Sequence, residues 1–71
     1  MIDLNEIFKN YDKAHLEYVI FEIKINNFKV ADFYSIKEAQ RFISMLYMDY
    51  TNIRWYAKTD GITFVFVFHN N

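Results

Sequence analysis

The stretch Gly61-Ile62-Thr63-Phe64-Val65-Phe66-Val67-Phe68 limits the possible folds more than any other in this chain. Seven successive β-branched or aromatic residues after a turn glycine form a strand. Ile62, Phe64, Phe66 and Phe68 lie on one face and Thr63, Val65 and Val67 on the other, so both faces carry bulk. Such a strand belongs in the middle of a sheet, because at an edge it would invite aggregation. The remaining residues must supply its neighbours and a cover.

A chain of 71 residues is expected to form one domain, 1–71, near the lower size limit for a core without staples. Eight Phe, six Tyr and one Trp compensate, since large apolar side chains contribute roughly 1.5–3 kcal/mol each when fully buried. Cysteine is absent, which excludes a disulfide framework and thiolate metal sites and leans toward a cytoplasmic location. The formal charge of −1 lacks the basic excess of a phosphate-binding protein. No apolar run approaches the roughly 20 residues that span a membrane, and the mixed, acidic start Met1-Ile2-Asp3-Leu4-Asn5-Glu6 does not read as a signal peptide. The expected protein therefore has no membrane partner.

Along the chain, Asp3 and Glu6 read as a capping box for a helix over about 3–14, with Leu4, Ile7, Phe8 and Tyr11 on its apolar stripe. The period-two pattern from 16 to 25 predicts the first strand, with Val19, Phe21, Ile23 and Ile25 facing the core. Asn26-Asn27 suits a type I′ turn that pairs Ile25 with Phe28 and starts a strand over 28–34. Counting outward places Phe28, Val30 and Tyr34 on the core face. Asp32 falls there too, so a bulge or strand end is expected near Ala31-Asp32. Ser35-Ile36-Lys37-Glu38 is a second capping box, opening a helix over about 36–50 with Ile36, Ala39, Phe42, Ile43, Leu46, Tyr47 and Tyr50 as its buried stripe. Strands over 53–59 and 62–68 flank the turn Asp60-Gly61. Pairing Thr59 with Ile62 puts Ile53, Trp55 and Ala57 on the core face, with Trp55 buried under the long helix.

The order α-β-β-α-β-β predicts an α+β fold with a four-stranded sheet and the helices packed on one face. The first and fourth strands are the most continuously apolar, and the second and third carry Lys29, Asp32, Arg54 and Lys58, as edges should. This favours sheet order 2-1-4-3, closed by a right-handed crossover through the long helix, over the fully antiparallel 2-1-3-4. The arrangement resembles small β-grasp folds in topology, a resemblance that implies no function.

No residue pattern points to an enzyme or a cofactor. His15 and His69 lack a nearby nucleophile or carboxylates at ligand spacing. Glu17 and Glu22 point to opposite faces of one strand, and the only glycine sits in a hairpin where it cannot help cradle phosphate. The back of the sheet carries the stronger expectation. Tyr18, Ile20, Val65 and Val67, flanked by Phe33 and Tyr56, would form an apolar patch with a basic rim of Lys24, Lys29, Arg54 and Lys58. If the N-terminal helix does not fold over it, such a patch is a surface for a protein partner or a homodimer. The alternative is a nucleic-acid-binding regulator that stacks bases on Tyr18, Phe33 and Tyr56. Arg41, Met45 and Met48, on the exposed side of the long helix, form a secondary surface. The expected function is a small non-enzymatic protein-binding module or inhibitor. Ile, Lys, Asn, Phe and Tyr make up half the chain, the usage of an AT-rich genome. This suggests a phage or mobile-element anti-defence protein of the anti-CRISPR kind as its most concrete form.

Overall fold

A computed structural model describes residues 2–70; Met1 and Asn71 of the expected domain lie outside the described residues. The elements are α1 (Leu4–Ile7), α2 (Lys13–Leu16), β1 (Ile20–Ile25), β2 (Phe28–Phe33), α3 (Ile36–Leu46), β3 (Asn52–Ala57) and β4 (Thr63–His69). The strands form one four-stranded sheet in the order β2-β1-β4-β3, with β1 and β4 parallel at its centre and antiparallel hairpins on either side. This is the strand order expected from the apolar character of β1 and β4.

Phe21, Ile23, Phe64, Phe66 and Phe68 project from one face of the sheet into a core completed by Leu4, Phe8, Val19, Ala39 and Ile43. Both ends of the chain's helical content lie on this face. Phe8 packs edge-on against Phe21 and Phe64 at centroid distances of 5.5 and 4.7 Å, and Phe33 of β2 meets Phe42 of α3 at 5.2 Å. Gln40 ties the N-terminal segment to α3: its Oε1 accepts from the Leu4 N–H at 2.7 Å and its Nε2 donates to the Ile2 carbonyl at 3.0 Å.

The N-terminal helix is shorter than its stripe suggests and is broken in two. Asp3 caps α1 by accepting from Asn5 N–H, but Glu6 pairs with Lys9 instead of closing the box, and Asp12 caps α2 by accepting from Ala14 N–H. Asn10 and Asp12 favour turns and caps over helix interiors, which accounts for the interruption. Leu16 therefore ends α2, and β1 starts at Ile20. The long helix starts at its cap, with Ser35 Oγ accepting from Glu38 N–H, but ends at Leu46, four residues short of the expected end. Beyond it the chain closes in turns, Asp49 and Tyr50 both donating to the Leu46 carbonyl.

Asn26 and Asn27 both have positive φ, 49° and 70°, as a type I′ hairpin requires, and Ile25 faces Phe28. The bulge lies earlier than expected, at Val30, between the pairs Ile23–Ala31 and Lys24–Lys29. One extra residue at this point exchanges the faces of everything after it. Asp32 consequently leaves the core face and stands opposite Glu22, while Ala31 and Phe33 turn inward. Phe28, Val30 and Tyr34, counted as core residues from the sequence, are exposed.

The second hairpin keeps the expected register, with Ala57 opposite Phe64 and Trp55 opposite Phe66. Gly61 takes φ of 76° in its turn. Asp60 organises the turn: Oδ1 accepts from the Ile62 and Thr63 N–H groups at 2.9 Å each, and Oδ2 accepts from Thr63 Oγ1 at 2.6 Å. The Thr63 hydroxyl, followed by the two backbone donors, holds the Asp60 carboxyl below the usual carboxylate range. A depressed folded value adds stability above the unfolded pKa, and this contribution disappears as pH falls through the folded one. Asp60→Asn should therefore melt below the wild type at neutral pH, with the difference shrinking in strong acid. Melting curves over that range check it, and a difference independent of pH would show that the carboxylate charge contributes nothing.

Candidate protein-binding surface

The molecule presents three candidate surfaces: the back of the sheet, a groove between β2 and α3, and the outer edge of β3. The first is where the sequence places its patch. The register brings Ile20, Glu22 and Lys24 of β1, Thr63, Val65 and Val67 of β4, and Arg54 and Tyr56 of β3 onto one face. Among the described residues neither the N-terminal helices nor α3 packs over it; their buried residues join the core on the other face.

The patch is nevertheless closed at its centre. Val65 and Val67 are 0% and 1% exposed. Val65 lies between Glu22 and Tyr56, and Val67 between Lys24 and Arg54, so the long side chains of both neighbouring strands flank the valines. Tyr18 precedes β1 and is 71% exposed, away from the valines in the strand register, and Phe33 is on the opposite face against Phe42. Of the expected patch, Ile20 is half-buried and Tyr56 exposed.

The basic rim is largely neutralised from within. Glu22, itself buried, holds Lys58 at 3.4 Å and Lys24 at 3.8 Å. Lys29 pairs with Asp32 at 2.7 Å, and this hydrogen bond, followed by the carboxylate charge, raises the Lys29 ammonium above its ordinary pKa. The opposed Lys24 and Lys29 therefore each have a carboxylate nearby, without an external partner. The cost falls on Asp32, whose Oδ1 is buried with no hydrogen-bond partner among the described residues. Arg54 is the one rim cation without an ion pair among the described residues.

The groove joins residues from both expected sets. Phe33, displaced from the back face by the bulge, combines with Glu38, Arg41, Phe42 and Met45 of α3 to line an open recess of about 210 Å³. Its floor is aromatic, its rim carries one charge of each sign, and Met45 is exposed. Met48, in the turn after α3, is 87% exposed. The sequence pattern assigns Phe42 to the core stripe and Glu38 to the cap alone; the three-residue spacing of Phe42 from Met45 and of Glu38 from Arg41 is the signal that places them on one side of α3.

On β3, Trp55 is 40% exposed, contrary to its expected burial under the long helix. It stacks on Phe66 at 5.9 Å and lies 6.0 Å from Phe8, because α3 meets the β2 side of the sheet and the N-terminal segment covers the β3 side. Among the described residues no strand pairs with the outer edge of β3.

His15 neighbours Tyr11 in the N-terminal segment, and His69 is the last residue of β4, facing Asn52. Among the described residues no three His, Cys, Asp or Glu side chains are grouped to hold a metal ion, and no helix is long and apolar enough to cross a membrane. The fold defines a small α+β domain with β-grasp-like strand order. Comparison with protein-family models, with curated proteins and with solved structures found no match.

Proposed function

We propose that this chain is a non-enzymatic protein-binding module that acts by occupying a surface of a larger protein. The groove between β2 and α3 carries the proposal. At about 210 Å³ it is smaller than the roughly 300–1,000 Å³ of a small-molecule site, and suits a single anchoring side chain. Its aromatic floor and adaptable Met45 favour a large apolar anchor, and Arg41 at the rim, which has no ion pair among the described residues, favours a carboxylate beside it. The partner is thus a protein segment presenting one large apolar residue next to an acidic one. Within this class, the AT-rich composition suggests an inhibitor carried by a phage or other mobile element and directed at a host defence complex. The internal pairing of Lys24, Lys29 and Lys58, and the position of Phe33 away from Tyr56, favour a protein over a nucleic acid.

A random peptide library panned against the protein tests this. Selected peptides should share the apolar-acidic pair and shift the NMR signals of Phe33, Phe42 and Met45. Met45→Glu should weaken them by about tenfold or more while leaving the melting temperature unchanged, as expected for a charge at the centre of an apolar contact. Peptides that shift only other residues would refute the groove. Tight, strongly salt-dependent binding of labelled single-stranded or duplex DNA would favour a nucleic-acid-binding regulator instead.

A further inference from the structure

The two edges of the sheet differ in a way that the groove does not explain. β2 is blunted by the Val30 bulge and by the charged pair Lys29–Asp32, both common protections against edge pairing. β3 pairs with β4 without a bulge over all six residues and presents Trp55 and Tyr56 partly exposed. An open, regular, aromatic edge of this kind is a template for another strand.

We propose that β3 pairs antiparallel with β3 of a second copy, with Trp55 facing Trp55 across a two-fold axis, to make a continuous eight-stranded sheet. The backbone phase allows it. Lys58 donates its N–H to the Thr63 carbonyl at 2.8 Å, so Arg54 and Tyr56, at two-residue steps, also direct their backbone groups toward β4. The N–H and C=O groups of Ile53, Trp55 and Ala57 then point outward, ready to bond Ala57, Trp55 and Ile53 of the other copy.

Side-chain complementarity selects both the occupant and the register. With Trp55 on the axis, Arg54 of each copy faces Tyr56 of the other, in the non-hydrogen-bonded pairs where side chains approach most closely, and the guanidinium can lie against the ring. Ile53 faces Ala57, large against small. Sliding the copies by one pair toward the C-terminus would set Arg54 against Lys58, and sliding them toward the N-terminus would set Arg54 against itself. Of these three registers only the Trp55-centred one avoids like charges, and it pairs more of β3 than registers slid further either way. It also gives Arg54 a counterpart that it lacks within the described residues of its own chain.

Sedimentation velocity over a concentration series tests the proposal, with a melting curve for each variant. The wild type should form dimers. Ala57→Pro should be monomeric with β3 still paired to β4, since the N–H it removes points outward. Tyr56→Arg sets guanidinium groups opposite one another at both ends and should weaken dimerisation by about tenfold or more. Arg54→Glu combined with Tyr56→Arg gives opposite charges at both ends with no like pair in this register, whereas the register slid toward the C-terminus would set two arginines together, so the combination should bring dimerisation back. A wild type that stays monomeric at its highest soluble concentration overturns the proposal. So does a dimer that survives Ala57→Pro, or a double variant no better than Tyr56→Arg.

Discussion

Phe66→Ala is expected to cost about 3–5 kcal/mol, the range for truncating a buried phenylalanine whose surroundings cannot fully collapse. Phe66 is fully buried on the core face of the central parallel pair, between Phe21 of β1 at 6.4 Å and the Trp55 ring of β3 at 5.9 Å. All three side chains are held by strand pairing, so closing the cavity would require moving backbone. A domain of this length has about 4–10 kcal/mol of total stability, so the variant loses a large share of it. The melting temperature should fall by about 12 °C or more, and Trp55 fluorescence should shift toward that of a solvated indole. Melting within a few degrees of the wild type would mean that the Phe66 site collapses around the gap.

Val65→Asp, on the other side of β4, is expected to cost about 3 kcal/mol or more. It forfeits the burial of a valine, roughly 1.5–3 kcal/mol, and places a carboxylate in a fully desolvated position. Glu22 is its direct neighbour on β1, and the two cations within reach of Glu22 already serve that carboxylate. Val65→Thr, which keeps the shape and adds a hydroxyl, should cost clearly less. Denaturant unfolding of the two variants checks the comparison. If Val65→Asp were as stable as the wild type, the back of the sheet would be open, and the patch there would regain its standing as an interaction surface.

This second prediction depends on information that the linear pattern did not hold. Alternation along Thr63–His69 shows which residues share a face, and the hairpin arithmetic from Asp60-Gly61 aligns Tyr56 with Val65 correctly. It does not show whether a face is wet. Val65 and Val67 read as an exposed apolar patch if no helix covers the back, yet both are buried between Glu22, Lys24, Arg54 and Tyr56, their neighbours on the two adjoining strands. Whether long charged side chains lie down over a valine or stand into water depends on ion pairs between strands, here Glu22 with Lys58 and Lys24, which are distant or unremarkable in sequence. The groove was hidden for a related reason. A bulge near Asp32 is legible, since a carboxylate cannot stay unpaired in a core, but a strand that simply ends there satisfies the same condition, and only a one-residue bulge ahead of Phe33 moves it from the face of Tyr56 to that of Phe42 beneath α3.

By itself the sequence determined the strand order, the first hairpin turn, the register of the second (a turn longer than Asp60-Gly61, with β3 ending at Ala57 and β4 starting at Thr63), the start of the long helix and the core face of β1 and β4. Each of these depends on local chemistry: the positive φ tolerated by Asn26, Asn27 and Gly61, the Ser35 cap, and runs of β-branched and aromatic residues too apolar for an edge. The tertiary structure alone decided where the helices end, which helical segment covers Trp55, which apolar residues stay accessible and which cations are already paired. These outcomes depend on competition among groups far apart in the chain for the same limited surface, and a residue's own type and spacing carry no record of which competitor prevails.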